Sequence, residues 1–343
     1  MRRVGWMSRA KRGGIVAVAL ASVGVLLAAC APTKPPPPPP TDPHDVLVVG
    51  DSISFSFACG LGDDNGSGQS CPAPGGITTK SDVVGGCTIS GGTILLYNGQ
   101  TASTYGCDDW PSKWAADADM FTPKVVVIVT SGWEIMDRWS GDPSGVPDRQ
   151  WGGADPSAAS SAYMTNLAGA INLFRQRGSK VIVANSAYMN PPVPQFPPGT
   201  PGAPDFLINA WYERYPITNT NPPQPWQPPV PGLMYRPSKT KVEQFNNAIT
   251  SVVSSFGDPS NVLQFNMFNH FDPVISGSRA YSEFICPPPN DSADPATCPG
   301  SKIDARDADG GHLSTPGGQG ILNAYLQPCV QAVLAGSSTT SCQ

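Results

Sequence analysis

Three apolar runs stand out along the chain: Val46-Leu47-Val48-Val49-Gly50, Val125-Val126-Val127-Ile128-Val129 within Lys124 to Thr130, and Lys180 to Ala184; a fourth strand is predicted at Val262 to Phe265. An unalternating run of strand length is a strand covered on both faces, as in a parallel sheet between helices. Between the second and third runs, Ala159, Tyr163, Leu167, Ala170, Ile171 and Phe174 recur at helical spacing, which predicts a helix over Pro156 to Arg177 and a strand-helix-strand crossover. A second helix is predicted from Ser238 to Phe256 and a closing one from about Pro316 to Leu334. Parallel α/β is the economical architecture for this order. From Asn190 to Pro237 the pattern breaks, and prolines interleave with Trp211, Tyr212, Tyr215, Trp226 and Tyr235. So long an insertion, about 190–237, reads as a lid or binding element, or as a Pro-stiffened cover for the core.

The first thirty residues obey a different rule. Arg2, Arg3, Arg9, Lys11 and Arg12 precede an apolar stretch from Ile15 to Leu27, which ends in Ala28-Ala29-Cys30. That is a secretory signal, and its apolar run is shorter than the roughly 20 residues that span a bilayer. The small residues before a cysteine give the bacterial lipoprotein pattern, with Cys30 as the lipidated first residue of the mature chain. Pro32, the run Pro35 to Pro40, and Pro43 then predict a polyproline II stalk. The expected division is therefore 1–29 signal peptide, 30–44 stalk, and 45–343 catalytic body, anchored to the outer face of the cell membrane.

Composition narrows the function. Of 343 residues 40% are hydrophobic and 14% charged, enough for one sizeable core and too apolar for a disordered chain. Glycine (36) and proline (39) are abundant but show no collagen period. Removing residues 1–29 takes five basic residues and no acidic one, so sixteen Lys and Arg face 26 Asp and Glu, a net charge of −10. Without a basic footprint nucleic acid is excluded as a partner. An acidic body is repelled by anionic lipid, so the lipid at Cys30 does the anchoring.

Cys30 aside, eight cysteines remain. In an oxidising compartment they form disulfides, and four sequential neighbours each enclose a short polar or Gly/Pro-rich loop. The expected pairs are Cys59–Cys71, Cys87–Cys107, Cys286–Cys298 and Cys329–Cys342. No Cys-x-x-Cys or Cys/His cluster has metal-ligand spacing, so no metal and no cofactor is expected.

The chemistry sits at the two ends of the body. Gly50-Asp51-Ser52 closes the first strand, and the small residues that follow can start a helix, so Ser52 is presented at the carboxyl edge of the sheet where α/β proteins bind ligands. Backbone N–H groups there can receive an oxyanion. Taken alone the tripeptide also reads as a helix cap. Asp309-Gly310-Gly311-His312, just before the closing helix, supplies the base that a serine needs. An Asp three residues before a His, across two glycines, can turn its carboxylate onto the imidazole and set its tautomer. The expected triad is Ser52, His312 and Asp309. His44 in the stalk and His270 in a Phe/Asn-rich segment are less well placed.

With these motifs in this order, the chain from Val46 to about Leu334 resembles the SGNH (GDSL-type) hydrolases. The resemblance implies a flavodoxin-like three-layer α/β/α fold with a central parallel sheet. It also implies an oxyanion hole built from the N–H of Ser52, a glycine matched by Gly86, with Gly85 as the other candidate, and an asparagine. The asparagine block departs from the family, because Gly132-Trp133-Glu134-Ile135 stands in its place. Trp133, Glu134, Asp137 and Arg138, together with Gly86-Cys87, Cys107-Asp108-Asp109-Trp110 and the terminal Asp-Gly-x-His, resemble the SGNH domains fused to actinobacterial membrane sugar O-acyltransferases. The implied activity is ester hydrolysis or O-acyl transfer, with acetyl as the expected acyl group, on cell-envelope or extracellular glycans. The alternative is a non-catalytic glycan-binding lipoprotein on the same fold. Trp133 is either the third oxyanion donor or a core aromatic behind the site. Asp51, Trp133, Glu134, Asp137 and Arg138 are candidates for substrate contact, and the last three read equally as an ion-pair brace. Expected partners are an acylated carbohydrate, the membrane through Cys30, and envelope glycan biosynthesis proteins.

Overall fold

The three apolar runs and the fourth predicted strand are all strands, and they lie side by side. A computed structural model of the chain describes residues 42–63, 71, 76–95, 101–103, 107–141, 147–152, 156–188, 239–282, 284–306, 312–337 and 342. The leader, Cys30, the insertion at 190–237 and Asp309 lie outside the described residues. The sheet comprises β1 (Val46–Gly50), β2 (Thr79–Val83), β3 (Val125–Val129), β4 (Lys180–Ala184) and β5 (Val262–Phe265). Every pairing is parallel and the order is β2-β1-β3-β4-β5. Crossovers run to one side from β1 to β2 and to the other from β3 onward. The carboxyl end of β1 is thus the switch point at which open α/β sheets bind ligands.

The period of two along each strand divides the core. Val46 and Val48 of β1, with Val125, Val127 and Val129 of β3, face α1 (Ser54–Gly60) and the closing helices. Leu47, Val49, Val126 and Ile128 face α2 (Trp110–Phe121), α3 (Ser157–Arg175) and α4 (Lys239–Ser255). This is a three-layer α/β/α sandwich, as expected. The stripe predicted on α3 is its buried face: Ala159, Tyr163, Leu167, Ala170, Ile171 and Phe174. The closing helix lies where predicted but is interrupted, with α5 (Thr315–Ile321) passing through a π-helical turn (Leu322–Leu326) into α6 (Gln327–Leu334).

Two features differ from the expectation. The edge strand β2, Thr-Lys-Ser-Asp-Val, is half-buried along its length and carries no apolar run that would announce it. Asp42 and His44, assigned above to the stalk, are bonded to the body. The N–H of Asp42 donates to Met120 O and that of His44 to Phe121 O, each at 2.9 Å, so the C-terminal carbonyls of α2 capture this segment into the body.

All four disulfides pair as predicted: Cys59–Cys71, Cys87–Cys107, Cys286–Cys298 and Cys329–Cys342.

Candidate active site

Leaving β1, the chain turns sharply over the end of β3. Gly50 has φ +142°, and a Cβ there would lie 1.8 Å from Val129 O, so no other residue fits. Asp51 follows, fully buried, and its carboxylate ties the turn together. Oδ1 accepts the N–H of Ile53 at 2.9 Å, and Oδ2 accepts both the N–H and the hydroxyl of Ser131 at 2.9 Å. Burial pushes the Asp51 carboxyl up to about 6, against the opposing pull of these hydrogen bonds and of His312. The turn leaves Ser52 half-buried, with its hydroxyl at the sheet edge.

His312 reaches that hydroxyl from the other end of the chain. Its Nε2 lies 2.8 Å from Ser52 Oγ, the distance of a hydrogen bond from a serine hydroxyl to a neutral imidazole. The imidazole is carried by a hairpin: Arg306 and Leu313 form an antiparallel bridge, and the N–H of Ser314 donates to Ala305 O at 3.2 Å. His270 is occupied elsewhere. Its Nδ1 lies 2.8 Å from Asp291 Oδ2, and its ring is stacked between Phe265 and Tyr325. His44 bonds the carbonyl of Asp42 at the opposite edge of the sheet.

A second turn, after β2, comes up beside the first. The N–H of Val84 donates to Gly50 O, that of Cys87 to Val84 O, and Gly86 takes φ +76°. Among the described residues no acceptor takes the N–H of Ser52 or of Gly86. Against Gly86 lies the indole of Trp133, with Cε2 and Cζ2 each 3.5 Å from where a Cβ would be. The next atom is Cδ2 at 3.9 Å, so the ring carbons of the indole border the glycine. Trp133 is half-buried and also packs on Ile94 and Met136.

Of the five candidates for substrate contact, Asp51 is turned inward, and Glu134, Asp137 and Arg138 form the ion-pair brace that was their other reading. Asp51, Glu134, Asp137 and Arg138 are all buried and engaged within the protein. Glu134 accepts the N–H groups of Ile89 and Ser90. Arg138 donates to Thr88 Oγ1, Gly91 O and Trp133 O, with Glu134 Oε2 3.6 Å away. Asp137 pairs with Lys241 of α4 at 2.6 Å, both groups almost fully buried. Burial raises the Asp137 carboxyl and lowers the Lys241 ammonium, and their mutual attraction opposes both shifts. These residues brace the Gly86 loop against the Trp133 turn, because a charge this deep must spend its hydrogen bonds on its neighbours. Ser131, which holds Asp51, was not among the expected site residues. Its position directly after the second apolar run, Lys124 to Thr130, was the available signal.

The sequence matches no protein-family model and none of the curated proteins. Among solved structures the fold is similar to a protein of Bacteroides fragilis NCTC 9343 described as an acylhydrolase, at 12% identity over 87% of this chain and 92% of that one, with a TM-score of 0.40. It is also similar to a GDSL-like lipase of Bacteroides thetaiotaomicron VPI-5482, at 12% identity over 83% of this chain and 87% of that one, TM-score 0.39. A third similar structure is TesA, at 13% identity over 84% and 98%, TM-score 0.36. Likeness this remote carries no reaction with it, so the chemistry must come from the atoms of the site.

Proposed function

We propose that this chain is an exported, lipid-anchored SGNH-type serine esterase or O-acyltransferase acting on acylated glycans. The observation that carries the reading is the 2.8 Å contact between Ser52 Oγ and His312 Nε2 at the switch point of the sheet. Ser52 Oγ attacks the acyl carbonyl while its proton passes to His312 Nε2. The oxyanion of the tetrahedral intermediate takes the N–H of Ser52, the N–H of Gly86 and the indole N–H of Trp133. Collapse breaks the ester C–O bond, the leaving alcohol takes the proton from His312, and the acyl group stays on Ser52. Water or a second sugar hydroxyl then gives its proton to His312 and attacks the acyl carbon; the acyl–Ser52 bond breaks, and Ser52 Oγ takes the proton back from His312. Asp309 orients the imidazole and stabilises its protonated form.

The glycan assignment is supported by the aromatic and proline composition of the 190–237 segment, since aromatic faces stack on sugars, and by the absence of a long apolar run for a lipid tail. Export is supported by the leader and by eight paired cysteines. A fluorophosphonate probe tests the chemistry. It should label the intact protein at Ser52 and fail on Ser52→Ala. No labelling of a folded protein leaves the glycan-binding alternative.

A further inference from the structure

We propose that Arg306, paired with Asp272 beneath the His312 hairpin, is a positioning residue that sets the imidazole of His312 against Ser52. The inference rests on the reading of His312 as the base. Arg306 forms the backbone bridge to Leu313, the residue next to His312. Its guanidinium is almost fully buried below that bridge. Nη2 donates to Asp272 Oδ1 at 3.0 Å, to Tyr188 O at 3.1 Å and to Phe271 O at 3.5 Å. The cation lies 5.3 Å from the ring centroid of Phe271 and 5.6 Å from that of Tyr281. Asp272 is itself fixed, with Oδ2 taking the N–H of Tyr188 at 2.8 Å. One side chain thus ties the His312 hairpin to the end of the Met267–Phe271 helical turn and to the segment leaving β4.

Stability alone does not account for this arrangement. Nε and Nη1 of Arg306 are buried without an acceptor among the described residues, and unmade hydrogen bonds of a buried cation are costly. Buried ion pairs are often replaced by apolar residues without loss of stability. A guanidinium whose Nη2 reaches two carbonyls and a carboxylate on two segments does something an apolar plug cannot: it fixes their register against the hairpin. A base held from below in this way gains rate through placement, and misplacement by about 1 Å costs on the order of 10²-fold.

The test separates fold from placement. In the double variant Arg306→Met/Asp272→Leu both charges leave together, so thermal stability should stay near wild type. Fluorophosphonate labelling of Ser52 should slow ten- to hundredfold, kcat on an acetyl ester should fall with KM held, and the ¹⁵N signals of the His312 imidazole should shift. A folded double variant with wild-type labelling and unshifted His312 signals overturns the proposal. Should the double variant not fold, Arg306→Lys keeps the cation but withdraws the donor from the Nη2 position and loses the guanidinium plane beside Phe271 and Tyr281. It should label about tenfold more slowly, and a wild-type rate overturns the proposal. Should wild type itself not label at Ser52, the esterase reading fails. The imidazole signals, which need no turnover, still decide whether Arg306 places His312.

Discussion

Ser52 Oγ and His312 Nε2 meet at 2.8 Å although 260 positions separate them in sequence. Two separate pieces of architecture make the contact. The Gly50 turn lifts Ser52 at the end of β1, and the Arg306–Leu313 bridge holds the histidine over it. Ser52→Ala and His312→Ala should each abolish fluorophosphonate labelling without loss of fold, as checked by gel fluorescence and thermal melting.

His270 should behave in the opposite way. Buried between two rings and bonded to Asp291, it serves the core, and His270→Ala leaves a buried carboxylate short of a partner. The expected cost is about 1–3 kcal/mol, read by denaturant unfolding, with labelling of the remaining folded protein unchanged. A loss of labelling in folded His270→Ala would falsify the division of roles between the two histidines.

Trp133→Phe keeps a ring against Gly86 and deletes the indole N–H. A donor worth one oxyanion contact predicts a fall in kcat of roughly 10²-fold with KM and melting temperature little changed. An unaltered kcat returns Trp133 to a purely packing role.

The Cys87–Cys107 bond starts one residue after Gly86, so it holds the oxyanion turn as well as the fold. Replacing both cysteines by serine should cost about 2–4 kcal/mol and slow labelling in the fraction that remains folded. Free thiols at these positions in the native protein, by mass mapping, would remove the basis for the prediction.

Asp117 of α2 faces Asp82 of β2, and burial together with that neighbouring carboxylate pushes Asp117 up to about 7. Between its usual value near 3.8 and about 7, the folded protein holds a proton that the unfolded chain releases. Stability therefore drains away as pH rises through this window. Asp117→Asn removes the repulsion. It should melt a few degrees above wild type at pH 8 and show no gain at pH 5.

The sheet was legible where burial on both faces forces unbroken apolar runs, and α3 where a period of 3.6 marks one buried stripe. Strand β2 was not, since an edge strand half open to water has no need of an apolar pattern. The Ser52 and His312 ends were legible because few residue types can do that chemistry and both fall at element boundaries. For Glu134, Asp137 and Arg138 the brace was legible as one of two readings, but not its partners. A charged residue in a loop suggests a ligand, and nothing in a single sequence shows that Thr88, Gly91 and Lys241 fold over to meet it. Arg306 and Asp272 carry no local motif at all, being brought together only by the path of the hairpin.

The capture of Asp42 and His44 by the last carbonyls of α2 sets a direction on the molecule. The chain joins the body at the amino edge of β1, and Ser52 stands at the carboxyl edge, about 17 Å away for a five-residue strand. A pull on the chain at Asp42 is therefore met by the Met120 and Phe121 carbonyls at the foot of the sheet, a full strand's length from Ser52.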